Sequence, residues 1–195
     1  MSPDRSPFCG VVVLDRDGTI NIDKHYLSDP QQLEFLPGSA AGLRLLREQG
    51  CRVVVISNQS GVGRGLMTSA MVDAVHQRLR EMVTEVGGQL AGIYYCPHHP
   101  NDGCACRKPG TRLLQRAACD LGFDPACAIV AGDKSTDIEM GRRMGSRTIL
   151  ISEEHHSSTD HQRATYVASN LLDAAVIIGQ LSDDHVACSM ENGLT

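Results

Sequence analysis

The stretch Val11-Val12-Val13-Leu14-Asp15-Arg16-Asp17-Gly18-Thr19 decides the fold. Four apolar residues in a row, three of them β-branched and with no polar alternation, describe a short strand buried on both faces, as in a parallel sheet. The run then stops on two carboxylates two residues apart, followed by a glycine that permits a tight turn. A strand covered on both sides has no room for unpaired charge, so the acidic pair belongs just beyond its carboxyl end.

The same pattern recurs outward from this point. Residues 53–57, 92–95, 128–131, 147–151 and 165–168 read as further short apolar strands. Between them, residues 39–49 run as an amphipathic helix closed by Gly50, and residues 69–86 carry Val72, Val75, Leu79, Met82, Val83 and Val86 on one face before Gly87-Gly88. A third helix spans 111–121 and stops at Gly122, and a fourth starts near Ser135 or Thr136 and ends near Gly145. The βαβα order predicts an α/β fold: a doubly wound, mainly parallel sheet sandwiched by helices, with its ligand site beyond the carboxyl ends of the strands. One domain over residues 1–195 is expected, with a core of about 9–180, a polar His-rich loop at 153–162 and a loosely ordered tail over 182–195.

Composition narrows the class. The 195 residues are 42% hydrophobic and 21% charged, an ordinary globular balance, and no apolar run reaches the roughly 20 residues that cross a bilayer. The formal charge of -5 gives no electrostatic footprint for nucleic acid. The polar start at 1–7 lacks the pattern of a secretory signal, so a cytoplasmic, monomeric protein is expected. Of eight cysteines, Cys9, Cys51, Cys119, Cys127 and Cys188 are scattered and read as small apolar residues, while Cys96, Cys104 and Cys106 cluster.

The strand ends carry the chemistry. Asp15 and Asp17 can bind a hard cation such as Mg²⁺, attack phosphorus and handle protons, although an acidic turn alone is more often structural. Ser57-Asn58-Gln59-Ser60-Gly61 offers a hydroxyl and backbone N–H groups to phosphoryl oxygens, and by itself is ordinary turn chemistry. Gly61-Val62-Gly63-Arg64-Gly65 lacks the Lys-Ser/Thr ending of a nucleotide-binding loop. Gly132-Asp133-Lys134-Ser135-Thr136-Asp137 brings two more carboxylates to the same sheet edge: Asp133 to complete a Mg²⁺ site, Lys134 to offset anionic charge, Asp137 to brace the helix start. Arg107-Lys108-Pro109 supplies two cations, one aimed at a phosphoryl group and one able to grip a second anion in two-pronged fashion.

Cys96-Pro97-His98-His99-Pro100-Asn101-Asp102-Gly103-Cys104-Ala105-Cys106 sets a Cys-x-His pair against a Cys-x-Cys pair. Three thiolates and an imidazole, Cys96, His98, Cys104 and Cys106, make a closed tetrahedral zinc site, which is structural in kind. A disulfide or His99 as the fourth ligand are the competing readings. Bound Zn²⁺ would pin the loop and so place Arg107 and Lys108.

Taken in order, Asp15-x-Asp17-Gly18-Thr19, Ser57-Asn58, Lys108 and Gly132-Asp133-x-x-x-Asp137 resemble the four motifs of the haloacid dehalogenase superfamily, over about residues 9–180. The resemblance implies a Mg²⁺-dependent phosphatase with Asp15 as nucleophile, Asp17 as general acid and then base, and Ser57 and Lys108 as phosphoryl ligands. It also implies Mg²⁺ on Asp15, the Asp17 backbone carbonyl and Asp133. The zinc loop and the lack of a cap domain resemble the histidinol-phosphate phosphatase subfamily. Within it, Asp15 to Asn21, His25-Tyr26, Asn58-Gln59-Ser60-Gly61 and Tyr94 to Pro100 are similar to the branch acting on the 7-phosphate of a heptose 1,7-bisphosphate, a phosphorylated sugar on the route to nucleotide-activated heptose.

That likeness implies substrate contacts at Asp23, Lys24, His25, Tyr26, Ser57, Asn58, Gln59, Ser60, Arg107, Lys108 and Lys134, with Arg107 on the second phosphate. The cysteine spacer is shorter than in several heptose enzymes and nearer that of histidinol-phosphate phosphatases, and Ser57 replaces a frequent Thr, so histidinol phosphate is the alternative substrate. A phospho-acceptor signalling domain shares the acidic pair, Ser/Thr and Lys, but places its acceptor on an internal strand and lacks the second proton-transfer group.

Overall fold

The computed structural model describes residues 8–152 and 163–191. Six strands form one sheet: β1 (Val11–Leu14), β2 (Arg52–Asn58), β3 (Leu90–Cys96), β4 (Ile129–Gly132), β5 (Arg147–Ile151) and β6 (Tyr166–Ala168). Their order is β3-β2-β1-β4-β5-β6 and every pairing is parallel. The chain steps outward from β1 through β2 to β3, then returns to lay β4 on the other side of β1. That reversal opens a crevice between the carboxyl ends of β1 and β4, where a doubly wound sheet takes its ligand. The expected fold class is the one found.

Among the described residues, five helices cover the two faces: α1 (Ser39–Glu48), α2 (Ser69–Glu85), α3 (Arg112–Leu121), α4 (Ser135–Arg143) and α5 (Leu171–Glu191). Val12 and Leu14 of β1, with Val53 and Val55 of β2, pack in one cluster with Leu43 and Leu46 of α1, Val75 and Leu79 of α2, and Ala174 and Ile178 of α5. Val11, Val13, Val54 and Ile56 point the other way, into a second cluster with Leu113 and Leu114 of α3 and Met140 of α4. The unbroken apolar run of β1 is thus explained: each residue serves a different core from its neighbour, and each fully buried side chain contributes roughly 1.5–3 kcal/mol.

Element boundaries fall within about two residues of those expected, and α5 runs to Glu191. The Asn170 side chain accepts the Asp173 backbone N–H at 3.0 Å, capping the helix. Leu171, Ala174, Ala175 and Ile178 then anchor its first half in the core. Once nucleated and packed, a helix propagates at one hydrogen bond per residue, so polar composition alone does not stop it. The His-rich loop at 153–162 and the polar start at 1–7 lie outside the described residues.

The α1–α5 contact depends on a missing side chain. A Cβ on Gly42 would sit 2.7 Å from the Leu171 carbonyl carbon and oxygen, whereas one on Gly179 of α5 would meet only the end of the Gln49 side chain. Gly42→Ala should therefore destabilise by roughly 1–3 kcal/mol, because the clash outweighs the ~1 kcal/mol gain in helix propensity. Gly179→Ala should be neutral or slightly stabilising. Urea unfolding midpoints of the two variants check the contrast.

Candidate active site

Just beyond β1 the alternation of the strand continues, and it sends Asp15 and Arg16 to opposite faces of the sheet. Asp15 turns toward the side of α3 and α4. Its Oδ1 lies 2.7 Å from Nζ of Lys108, which also reaches Asp137 Oδ1 at 2.6 Å and donates to the Ile56 carbonyl at 2.7 Å. All three side chains are buried, with Lys108 3% and Asp137 1% exposed. An ammonium taken out of water is tolerated there because three oxygens replace its hydration. Burial pushes Lys108 down, but the Asp137 and Asp15 carboxylates outweigh it and raise the pKa.

Arg16 turns toward α2 and is fully buried. Its guanidinium forks onto Asp17, with Nε to Oδ1 at 3.1 Å and Nη2 to Oδ1 and Oδ2 at 2.9 and 2.8 Å. Asn21 Nδ2 and Gln59 Nε2 each donate to the same carboxylate at 2.9 Å. Burial alone would raise the pKa of Asp17, yet the Arg16 charge and the hydrogen bonds from Asn21, Gln59 and Arg16 hold it below the usual carboxylate range. The turn that follows needs glycine: Gly18 has φ +87°, and a Cβ there would run into the Asp133 carboxylate. Around it, the N–H groups of Thr19, Ile20 and Asn21 all donate to the Arg16 carbonyl.

Across the crevice, Asp133 follows β4. One carboxylate oxygen from each of Asp15, Asp133 and Asp137 lies within 4.8 Å of the others. Burial raises the pKa of Asp133, with Asp15 adding and Lys134 opposing. Asp137 is pushed up to about 7 by burial, helped by Asp15 and Asp133 against the pull of Lys108. Both shifts come chiefly from burial, with the neighbouring carboxylates adding to it and the lysines opposing it. Lys134 answers part of it, with Nζ 3.4 Å from the Asp17 backbone carbonyl, 3.6 Å from Asp133 and 3.4 Å from Asp23. A cation thus already stands among oxygens of Asp17 and Asp133, and the hard, all-oxygen donor set fits Mg²⁺. The Asp17 backbone carbonyl faces the Lys134 ammonium, while the Asp17 side chain is clamped by Arg16, Asn21 and Gln59. Asp137, expected to brace α4, accepts the Lys134 N–H at 3.2 Å and also joins the carboxylate cluster.

Of these groups, Asp15, Asp17, Lys108 and Lys134 line a cleft of about 660 Å³, open to solvent and large enough for a sugar carrying two phosphates. Asp15, Asp17, Ser57 and Lys108 lie at its base, and Asp23, His25, Tyr26, Asn58, Gln59, Ser60, Arg107 and Lys134 also face it. Lys24 does not line it: its ammonium is engaged by the Gln32 carbonyl at 2.8 Å and Glu34 at 3.2 Å. The Ser57 hydroxyl accepts from Gln59 at 2.6 Å. Asn58 grips the Lys108 backbone twice, accepting its N–H at 3.0 Å and donating to its carbonyl at 3.3 Å. Arg107 Nη1 is buried without a partner, a donor held ready beside the cleft.

The cysteine cluster forms as expected. Cys96, Cys104 and Cys106 sulfurs stand 3.3–3.5 Å apart, and His98 Nδ1 lies 3.5 Å from Cys96 and 3.1 Å from Cys106. A tetrahedral ion with bonds of ~2.3 Å needs ligand edges of roughly 3.7 Å, so the four atoms converge on one metal position. Burial pushes the Cys96 thiol up to about 12, so its thiolate needs a cation beside it. His99 is turned away, its Nδ1 accepting the Asn101 N–H at 3.2 Å. The loop is stitched to the segment after β2 by backbone bonds from Gln59 N–H to the Cys96 carbonyl and Gly63 N–H to the Pro97 carbonyl, at 2.8 and 2.7 Å.

Sequence reasoning missed Arg16, His76 and Asn21. Arg16 was passed over between two aspartates, yet a basic residue entering a covered strand end calls for a buried acceptor. His76 sits four residues after Val72 and three before Leu79, on the apolar stripe of α2, where an imidazole stands out.

Comparisons with known proteins agree with this geometry. The HAD-hydrolase-like family model matches residues 105–174. The D-glycero-beta-D-manno-heptose-1,7-bisphosphate 7-phosphatase of Pseudomonas aeruginosa is 38% identical over 142 residues, covering 72% of this chain and 80% of its own. The Escherichia coli K12 protein of the same name is 32% identical over 171 residues, covering 83% and 90%. The crystal structure of the D,D-heptose 1,7-bisphosphate phosphatase from B. bronchiseptica, complexed with magnesium and phosphate, superposes with a TM-score of 0.78 at 30% identity, covering 87% of this chain and 98% of that one. At such identity over such lengths, the chain belongs to the haloacid dehalogenase-like hydrolases, in the family of the heptose-1,7-bisphosphate 7-phosphatases.

Proposed function

We propose that this chain is a Mg²⁺-dependent phosphatase that removes the 7-phosphate of D-glycero-β-D-manno-heptose 1,7-bisphosphate, leaving the 1-phosphate for nucleotide activation. The observation that carries the reading is the pairing, in one cleft, of a nucleophile-and-carboxylate cluster at Asp15 with an unpartnered buried donor on Arg107. A bisphosphate has an anion for each. The relatives' names supply the sugar and its anomer.

In this reading an Asp15 carboxylate oxygen attacks the 7-phosphorus and the bond to the sugar oxygen breaks, giving an aspartyl phosphate. Asp17 delivers a proton to the departing alkoxide, then takes one from the water that cleaves the acyl phosphate and regenerates Asp15. The clamp on Asp17 favours its ionised form, as the second half requires, and an arriving phosphate dianion opposes that preference for the first. Lys108 and Ser57 hold the phosphoryl oxygens in line. Mg²⁺ on Asp15, the Asp17 carbonyl and Asp133 would neutralise charge on those oxygens. Asp23, His25, Tyr26, Asn58, Gln59, Ser60 and Lys134 shape the sugar site, and Arg107 grips the 1-phosphate. Zn²⁺ on Cys96, His98, Cys104 and Cys106 is structural, and thiolates of that kind persist in a reducing compartment, which fits a cytoplasmic site of action. A monomer with one domain suffices for this chemistry, since every group named lies on one chain.

With Mg²⁺ present, Asp15→Asn should abolish phosphate release, and Asp17→Asn should lower kcat by roughly 10²–10⁴-fold. The substrate is checked by kcat/KM for both anomers of the heptose bisphosphate and for histidinol phosphate. A preference for histidinol phosphate overturns the sugar assignment while leaving the phosphatase intact, and a single stoichiometric phosphorylation without turnover points to a signalling domain.

Metal analysis of protein purified without chelators should find about one zinc per chain, the count expected of a closed Cys₃His site. Cys104→Ser and Cys106→Ser should each lower zinc content and the thermal midpoint. Zinc-free protein with an unchanged midpoint would remove the structural role.

A further inference from the structure

Arg16 carries a charge buried to 0% exposure, and its guanidinium makes four polar contacts. Three N–H···O bonds fix it on Asp17. Its remaining terminal nitrogen, Nη1, lies 3.1 Å from Nε2 of His76. A guanidinium only donates, so Nε2 accepts, and the imidazole proton is on Nδ1. His76 is itself buried, 6% exposed, and its ring meets Tyr95 edge-on with centroids 5.3 Å apart. The chain of contacts therefore runs from β3 through an α2 imidazole to a guanidinium and ends on the Asp17 carboxylate. Neither Arg16 nor His76 lines the cleft.

We propose that Arg16 and His76 are positioning residues for proton transfer by Asp17: the guanidinium fork fixes the plane of the carboxyl group, and His76, accepting from Nη1, fixes the fork. The inference rests on the reading of Asp17 as the proton-transfer group. A bond to Nη1 resists rotation of the guanidinium about its stem, a freedom that the Asp17 contacts alone leave partly open. A carboxyl misplaced by even a fraction of an ångström delivers its proton poorly, while phosphoryl attack by Asp15, on the other face of the sheet, is unaffected.

That separation gives the test. An alkyl ester such as the heptose 7-phosphate needs a proton on its leaving oxygen, whereas the phenolate of p-nitrophenyl phosphate leaves without one. In kcat/KM, which reports the steps through phosphoryl transfer, Asp17→Asn should cost the alkyl ester at least ten times more than the aryl ester. If it costs both alike, the proton-donor reading of Asp17 fails, and this inference with it. Given that discrimination, His76→Phe, which keeps an aromatic ring against Tyr95 but removes the acceptor, should lower kcat/KM about tenfold on the heptose bisphosphate and less than threefold on the aryl ester. His76→Gln, whose amide oxygen can accept from Nη1, should recover most of the loss. Arg16→Lys, which keeps the charge and loses the fork, should show the same discrimination and serves if His76→Phe does not fold. Equal losses on the two esters, no loss on the heptose substrate, or a gain in either variant overturns the proposal.

Discussion

Three carboxylates drawn into one small volume are the constraint around which this molecule is built. At separations within 4.8 Å, each pair of ionised groups repels by about 3–4 kcal/mol at an effective dielectric of ~20. Asp15, Asp133 and Asp137 come from the ends of two adjacent strands and the first turn of α4, so the sheet topology itself creates the strain. One buried ammonium cannot balance it. Lys108 bridges Asp15 and Asp137, Lys134 leans on Asp133, and burial still raises the pKa of Asp133 and Asp137. A site in this state favours a divalent cation and, through it, a phosphate.

The alternation of a strand explains how one tripeptide performs two tasks. Asp15 and Arg16 depart from β1 to opposite faces, one toward the cations that accompany phosphorus, the other toward α2 and an imidazole. Asp17 comes back over the strand end, where Arg16 reaches it. Asp15 and Asp17 are thereby held against different cores, the first by Lys108 and α4, the second by Arg16, Gln59 and α2. Asp15 and Asp17 sit two residues apart in sequence, yet separate side chains hold their carboxylates.

Much of this was legible because it follows from period and punctuation. Continuous apolar runs signalled strands buried on both faces, and glycines marked the helix ends. Motifs placed at strand ends then converged without further information, since a parallel sheet delivers all its carboxyl ends to one edge. What was not legible depends on partners distant in sequence. Nothing near Lys24 shows that Gln32 and Glu34 would draw it off the cleft. Nothing in the stripe of α2 names Arg16 as the partner of His76, sixty residues earlier.

The cysteine loop shows how an open cleft can still be precise. Among the described residues no inserted domain closes over Asp15, so the groups around it must be held by their own anchors. The loop carrying Cys96 to Cys106 ends at Arg107 and Lys108, and Asn58 clasps the Lys108 backbone from both sides. The same loop accepts Gln59 N–H at the Cys96 carbonyl, and Gln59 in turn reaches Asp17 and Ser57. Soft thiolate ligands and hard carboxylates exclude each other's metals, so one ion can order the frame while another serves the reaction. A metal bound at Cys96 would therefore steady two routes at once, one through Lys108 to Asp15 and one through Gln59 to Asp17. Rigidity supplied from below takes the place of closure from above.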